Sequence, residues 1–160
     1  IRLQVYKGVG DFSRSFAQLI PELAFYKSLN KRSTIILAER MGGIIGAGNT
    51  AFYQSAFIGG QENLLGYRQY RFAGQHSFYN NLELRIKLAD IASYIIPGQF
   101  GITGFWDIGR VWEKHDNSGK WHQGTGGGIY FAPASVIALS FVVGHSNEGL
   151  YPYFTMGLRF

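Results

Sequence analysis

The sequence predicts an all-β chain, an antiparallel sheet of the kind that closes into a transmembrane β-barrel. Three observations lead there. Long segments alternate apolar and polar residues with the period of a strand, as in Leu82, Leu84, Ile86 and Leu88 against Glu83, Arg85 and Lys87. The chain carries 22 glycines and 16% aromatic residues but only 16% charged ones, where a soluble domain averages about 25% charged. Breakers divide it into segments of about 9 to 11 residues or more, enough for a tilted strand to cross hydrocarbon.

Alternation by itself leaves two orientations open. In a soluble sandwich the leucines lie inside, whereas in a membrane barrel they meet lipid and the charges line a wet lumen. Glycines help to choose. Gly124, Gly126 and Gly128 share one face of a strand; a sandwich core would be left with unfilled volume there, while a lumen tolerates a row of small residues. Trp106, Trp112 and Trp121 suit interfacial girdles, with sandwich core as their plainer reading.

Phe12 to Leu29 and Ser33 to Ile45 read as a hairpin turning at Asn30, Lys31 and Arg32. A Gly/Asn/Gln-rich loop, about residues 46–77, follows. Phe78 to Ile91 is the alternating strand quoted above. Gln99 to Glu113, Trp121 to Ala132, Ser135 to Ser146 and Leu150 to Phe160 complete the set, and Ile1 to Gly8 reads as the end of one more strand. Connections alternate between tight turns such as Ala132-Pro133-Ala134 and longer polar loops such as His115 to Gly119, the asymmetry of a membrane barrel. In the last segment Phe154, Met156, Leu158 and Phe160 share one face, and Tyr153, Thr155, Gly157 and Arg159 the other.

The remaining composition mainly excludes. At 160 residues the chain fits one domain, spanning 1–160. It has no cysteine, hence no disulfide framework and no cysteine-based zinc site. The net charge of +5 is scattered and forms no basic run. The longest stretch without Asp, Glu, Lys or Arg, Trp121 to Asn147, is interrupted by His122, Gln123, glycines and Pro133, so it is no transmembrane helix. Ile1 to Gly8 contains neither an initiator methionine nor a signal or transit sequence, so the chain reads as a mature or excised segment whose export signal lies elsewhere.

Four motifs occur in order. Gly59-Gly60 through Leu64-Leu65-Gly66-Tyr67 opens the series, followed by Tyr79-Asn80-Asn81-Leu82-Glu83-Leu84-Arg85. Gly101-Ile102-Thr103-Gly104-Phe105-Trp106-Asp107-Ile108-Gly109-Arg110-Val111-Trp112 is the third, and Gly126-Gly127-Gly128-Ile129 with the strand ending at Phe160 the fourth. Together they resemble the C-terminal part of the bacterial surface antigen superfamily: barrels of BAM-type assembly factors, TAM-type translocation factors and two-partner-secretion transporters. Within it, the chain is most similar to barrels fused behind a metallophosphoesterase domain in Bacteroidota-like bacteria.

The resemblance implies the C-terminal half, roughly seven or eight strands, of a barrel of about sixteen in the bacterial outer membrane. It implies insertion or translocation of other proteins or lipids, with a seam that templates incoming strands. The 46–77 loop would fold into the lumen and be locked by Gly66, Tyr67, Arg68, Glu83, Phe105 and Asp107. The family's loop carries an arginine where this chain has Leu65, so Arg68, or else Arg71, is expected to reach back to the lumenal acids Glu83 and Asp107 by charge-assisted pairing. The plainer alternative is that both acids are solvated and the loop is loosely held.

Tyr153, Gly157, Leu158 and Phe160 resemble the terminal signal read by the assembly machinery, although Thr155 stands where glycine is usual. Implied partners are the lipid bilayer with lipopolysaccharide, that machinery, and a client or secreted protein.

Enzymatic fragments weigh little. In Gly144-His145-Ser146-Asn147-Glu148-Gly149, and likewise at His76-Ser77, adjacent strand residues face opposite ways and cannot pair as base and nucleophile. His115, Asp116 and His122 lack metal-ligand spacing, Gly42 to Gly48 is no phosphate-binding fingerprint, and no basic aromatic platform points to nucleic acid. The expected chain is neither an enzyme nor a cofactor or metal protein. Two other classes stay open: a complete eight-stranded barrel with a structural or adhesive role, which would pair its first strand with Leu150 to Phe160, and a soluble β-sandwich binding module.

Overall fold

The computed structural model describes residues 1–6, 15–48, 52–92, 94, 96–113, 119–133 and 137–157. Leu158 and Phe160 of the terminal motif, and His115 and Asp116, lie outside the described residues. The described strands are β1 (Arg2–Tyr6), β2 (Phe16–Ile20), β3 (Glu22–Ser28), β4 (Ile35–Gly48), β5 (Ala56–Ile58), β6 (Phe72–Gly74), β7 (His76–Ile91), β8 (Gly98–Trp112), β9 (His122–Pro133), β10 (Leu139–Ser146) and β11 (Gly149–Met156). All pairs are antiparallel, in the order β1-β2-β4-β7-β8-β9-β10-β11, with β3 also on β4. β5 and β6 form a separate two-stranded sheet.

The sheet is a meander whose long central strands follow from the alternation. β7 pairs with β4 from Ile35↔Ile86 to Ile45↔His76, and with β8 from His76↔Trp112 to Ile91↔Gly98. One bulge, between Lys87 and Ala89, interrupts the second ladder. The β3–β4 turn is built by Asn30, whose Oδ1 accepts the N–H groups of Thr34 at 2.8 Å and Ile35 at 3.2 Å. An asparagine side chain replaces missing backbone partners in such a turn.

Three expectations change. The strand predicted from Phe12 to Leu29 is divided at Pro21 into β2 and β3, because proline has no N–H to give to the ladder; its carbonyl still accepts Gly43 N–H. The 46–77 region is not all loop: β4 runs on to Gly48, β7 begins at His76, and β5 and β6 make a hairpin between them. The eight-stranded alternative required β1 to pair with the last strand, yet β1 and β11 stand at opposite ends of the sheet, which is not closed.

Polarity is inverted relative to a soluble sheet. Asn81, Glu83, Arg85, Thr103 and Asp107 are buried on one face, while Trp106, Ile129, Phe141, Phe154 and Met156 are exposed on the other, Met156 at 70%. The buried apolar clusters join the β5–β6 hairpin to the polar face: Ile58, Leu64 and Tyr67 with Phe72 and Val111, and Leu65, Phe105 and Val142 with Tyr153. The sheet is thus a trough wrapped around its own loop. Trp112 and Trp121 meet edge to face, 6.3 Å apart, at the hairpin end of the outer face, whereas Trp106 stands mid-strand and outside any girdle, because its register partners are Leu82 and Thr125.

Candidate functional site: the seat of the inward hairpin

The hairpin tip turns on glycines. Gly60 and Leu64 bridge each other through two backbone hydrogen bonds, and Gly59 N–H donates to Asn63 Oδ1 at 2.8 Å. Gly66 has φ of +92°, a conformation that side chains rarely adopt, and it turns Leu65 and Tyr67 into the wall.

Leu65, Gly66 and Tyr67 are held from four strands. Asp107 on β8 is fully buried, and its Oδ2 accepts the Leu65 N–H at 2.9 Å. The Tyr153 hydroxyl on β11 accepts Gly66 N–H at 2.9 Å and donates to the Tyr67 carbonyl at 2.7 Å. Ser146 on β10 donates to the Gly66 carbonyl. The Tyr67 hydroxyl lies 3.1 Å from the Gln123 carbonyl on β9 and 2.9 Å from Asn147 Oδ1. Its ring packs edge-on against Phe72, 5.1 Å between centroids. Burial pushes the Tyr67 hydroxyl above the ordinary tyrosine pKa, against the opposing hydrogen bonds of Ser146 and Gln123, so it remains a neutral donor.

Two glycines make room. A Cβ at Gly124 would strike the Leu65 carbonyl oxygen, and one at Gly144 would come within 2.6 Å of Gly66 N. Part of the space beside these inward-facing glycines is therefore occupied by loop backbone.

A second hold comes from the wall. Arg40 on β4 donates through Nε and Nη2 to Asn81 Oδ1 at 3.2 and 2.9 Å, and through Nη2 to the Glu62 carbonyl. Asn81 in turn donates to the Asn63 carbonyl at 2.7 Å. Gln61 reaches the Phe154 carbonyl on β11 at 2.7 Å, and Gln18 on β2 the Gln54 carbonyl at 2.5 Å.

Of the six residues expected in the lock, Gly66, Tyr67, Phe105 and Asp107 come together. Arg68 does not join them: it is exposed, and no ion pair links it to either acid. Arg71 instead pairs with Glu148 at 2.8 Å beside the β10–β11 turn. Glu83 stays within the wall, accepting from Arg85 at 2.5 Å and Thr103 at 3.1 Å. The reason lies at Leu65, whose side chain packs on Phe105 and Val142 and leaves its amide to satisfy Asp107. Tyr153, expected in the terminal signal, has its hydroxyl on the hairpin; Gly157 lies just past β11 with φ of +120°.

Sequence reasoning missed Arg40, Asn81, Ser146 and Gln123. Arg40 alone carried a signal, an arginine sharing a strand face with Ala38 and Gly42. The alternation argument about His145 and Ser146 holds in the structure, with Ser146 buried and His145 exposed.

The chain is thus an open antiparallel sheet with exposed apolar side chains on one face and a long loop seated on the other, polar face. The Omp85 superfamily domain matches the chain over residues 2–146, and the chain belongs to that superfamily. Its members are outer-membrane proteins, serving insertion or translocation of proteins at the level of the family. No curated protein and no solved structure matches the chain.

Proposed function

We propose that this chain is part of the barrel of an outer-membrane protein that inserts or translocates other proteins, and that the β5–β6 hairpin is a fixed internal brace of that barrel. The observation that carries this reading is the seat of Leu65–Gly66–Tyr67, where backbone groups of a loop tip meet side chains from β8, β10 and β11. Such a buried polar network holds one geometry, because each unmade bond would leave a desolvated group behind. The brace ties β11 to β4 through the hairpin.

In this reading the outer face meets lipid, about sixteen strands complete the barrel, the terminal strand addresses the assembly machinery, and the chain performs no chemistry of its own. The narrower resemblance to metallophosphoesterase-fused barrels would make it an anchor or exporter for an upstream hydrolase, and the full open reading frame decides that point.

The test is reconstitution. Liposomes carrying the protein should speed the folding of a urea-denatured outer-membrane barrel client over empty liposomes. Insertion of the protein with no gain in client folding would overturn the proposed activity.

A further inference from the structure

The outer face carries a groove of about 360 Å³ between β3, β4, β7 and β8. Its floor is Gly43, and its walls include Leu23, Met41, Ile45, Phe78 and Trp112. Pro21, between β2 and β3, and Gly43 on β4 both line it, and Gly43 is packed so close to the Ser77 carbonyl that no side chain fits there.

A cation stands at one end. Arg110 is the register partner of Phe78, and its guanidinium lies 4.9 Å from the ring centroid of Trp112 and 5.7 Å from that of Trp121. Phe78 and Trp121 are themselves in edge contact at 6.1 Å, so groove and cation share their aromatic walls. Arg110 Nε is buried without a hydrogen-bond partner, and no carboxylate among the described residues forms an ion pair with this side chain. A buried guanidinium N–H enclosed by aromatic rings calls for an acceptor, and its charge favours an anionic one. Two residues from the end of β8 at Trp112 it sits where an outward arginine costs little, and where headgroups lie in a spanning barrel.

We propose that this corner binds a single phosphate-bearing lipid, with an acyl chain in the Gly43 groove and the headgroup phosphate on Arg110. Guanidinium and phosphate match in planar, bidentate geometry, and stacking on the two indoles orients the guanidinium for it. The inference rests on the reading that the outer face meets lipid.

Native mass spectrometry of the detergent-solubilised protein would compare dioleoyl phosphatidic acid with dioleoylglycerol, which has the same chains and no phosphate. Phosphatidic acid should bind about fivefold more tightly, the preference expected from one arginine at an anionic headgroup. Arg110→Gln should abolish the preference, and Ile45→Phe, which narrows the groove, should weaken both lipids while keeping it. Glycerol 3-phosphate, which has no chains, should not compete. Equal binding of the two lipids, a preference that survives Arg110→Gln, or displacement by glycerol 3-phosphate would each overturn the site. Failure of the protein to insert into liposomes would instead remove the membrane reading beneath it.

Discussion

Tyr153 and Arg40 show how single side chains replace an expected ion pair. The Tyr153 hydroxyl serves two backbone groups of the hairpin at once, Gly66 N–H and the Tyr67 carbonyl. Tyr153→Phe keeps the ring against Leu65, Phe105 and Val142 but strands both groups, at about 1 to 3 kcal/mol each. Hydrogen exchange at Gly66 should accelerate at least about tenfold, and unchanged protection would remove Tyr153 from the seat. Arg40 binds two acceptors, Asn81 Oδ1 and the Glu62 carbonyl, that a point charge on a flexible stem cannot reach in the same geometry. Arg40→Lys should therefore loosen the 61–64 turn nearly as much as Arg40→Met, by about 1.5 to 3 kcal/mol, seen as faster proteolysis after Arg68 and Arg71. Full rescue by lysine would show that charge alone is at work there.

At the scale of the strands, much was legible in advance. β7, β8, β9 and β11 lie within one or a few residues of where alternation placed them, because a period of two survives any choice of neighbour. The β5–β6 hairpin was not legible: three-residue strands carry no period, and their stability comes from wall residues far away in sequence. Asp107 meets an amide 42 positions earlier, and nothing local distinguishes an acid awaiting a backbone N–H from one awaiting an arginine. The glycines make the same point experimentally. Gly124 faces inward and its missing Cβ leaves space for the Leu65 carbonyl, whereas a Cβ at outward Gly104 would find only the Gly126 carbonyl, 3.9 Å away. Gly124→Ala should cost about 1 to 3 kcal/mol by overpacking and expose the hairpin to protease. Gly104→Ala should leave protease protection as it is, so equal behaviour of the two variants would mean that the inner row is not a seat.

For the whole molecule, the arrangement of polarity is the property on which everything else depends. In a soluble sandwich the face carrying Leu82, Ile102, Ile129 and Phe141 would be covered by a second layer, and charges would be welcome opposite it. Here Ile129 is 48% exposed, on the outer face between its register partners Ile102 and Phe141, while Glu83 and Asp107 are buried on the inner one. An amine introduced at Ile129 would therefore face hydrocarbon in a spanning barrel, where a cation near mid-depth costs about 2 to 4 kcal/mol. Ile129→Lys should reduce insertion into liposomes, measured by co-flotation, whereas Tyr94→Lys, a fully exposed position at the turn end of the sheet, should insert as the parent does. Both variants would remain equally soluble and folded without lipid if the sheet belonged to a soluble domain, because lysine on an exposed strand face of such a domain is close to neutral. Insertion that is indifferent to Ile129→Lys would therefore count against the outer face as a lipid surface, and with it against the hairpin as the internal brace of a membrane barrel.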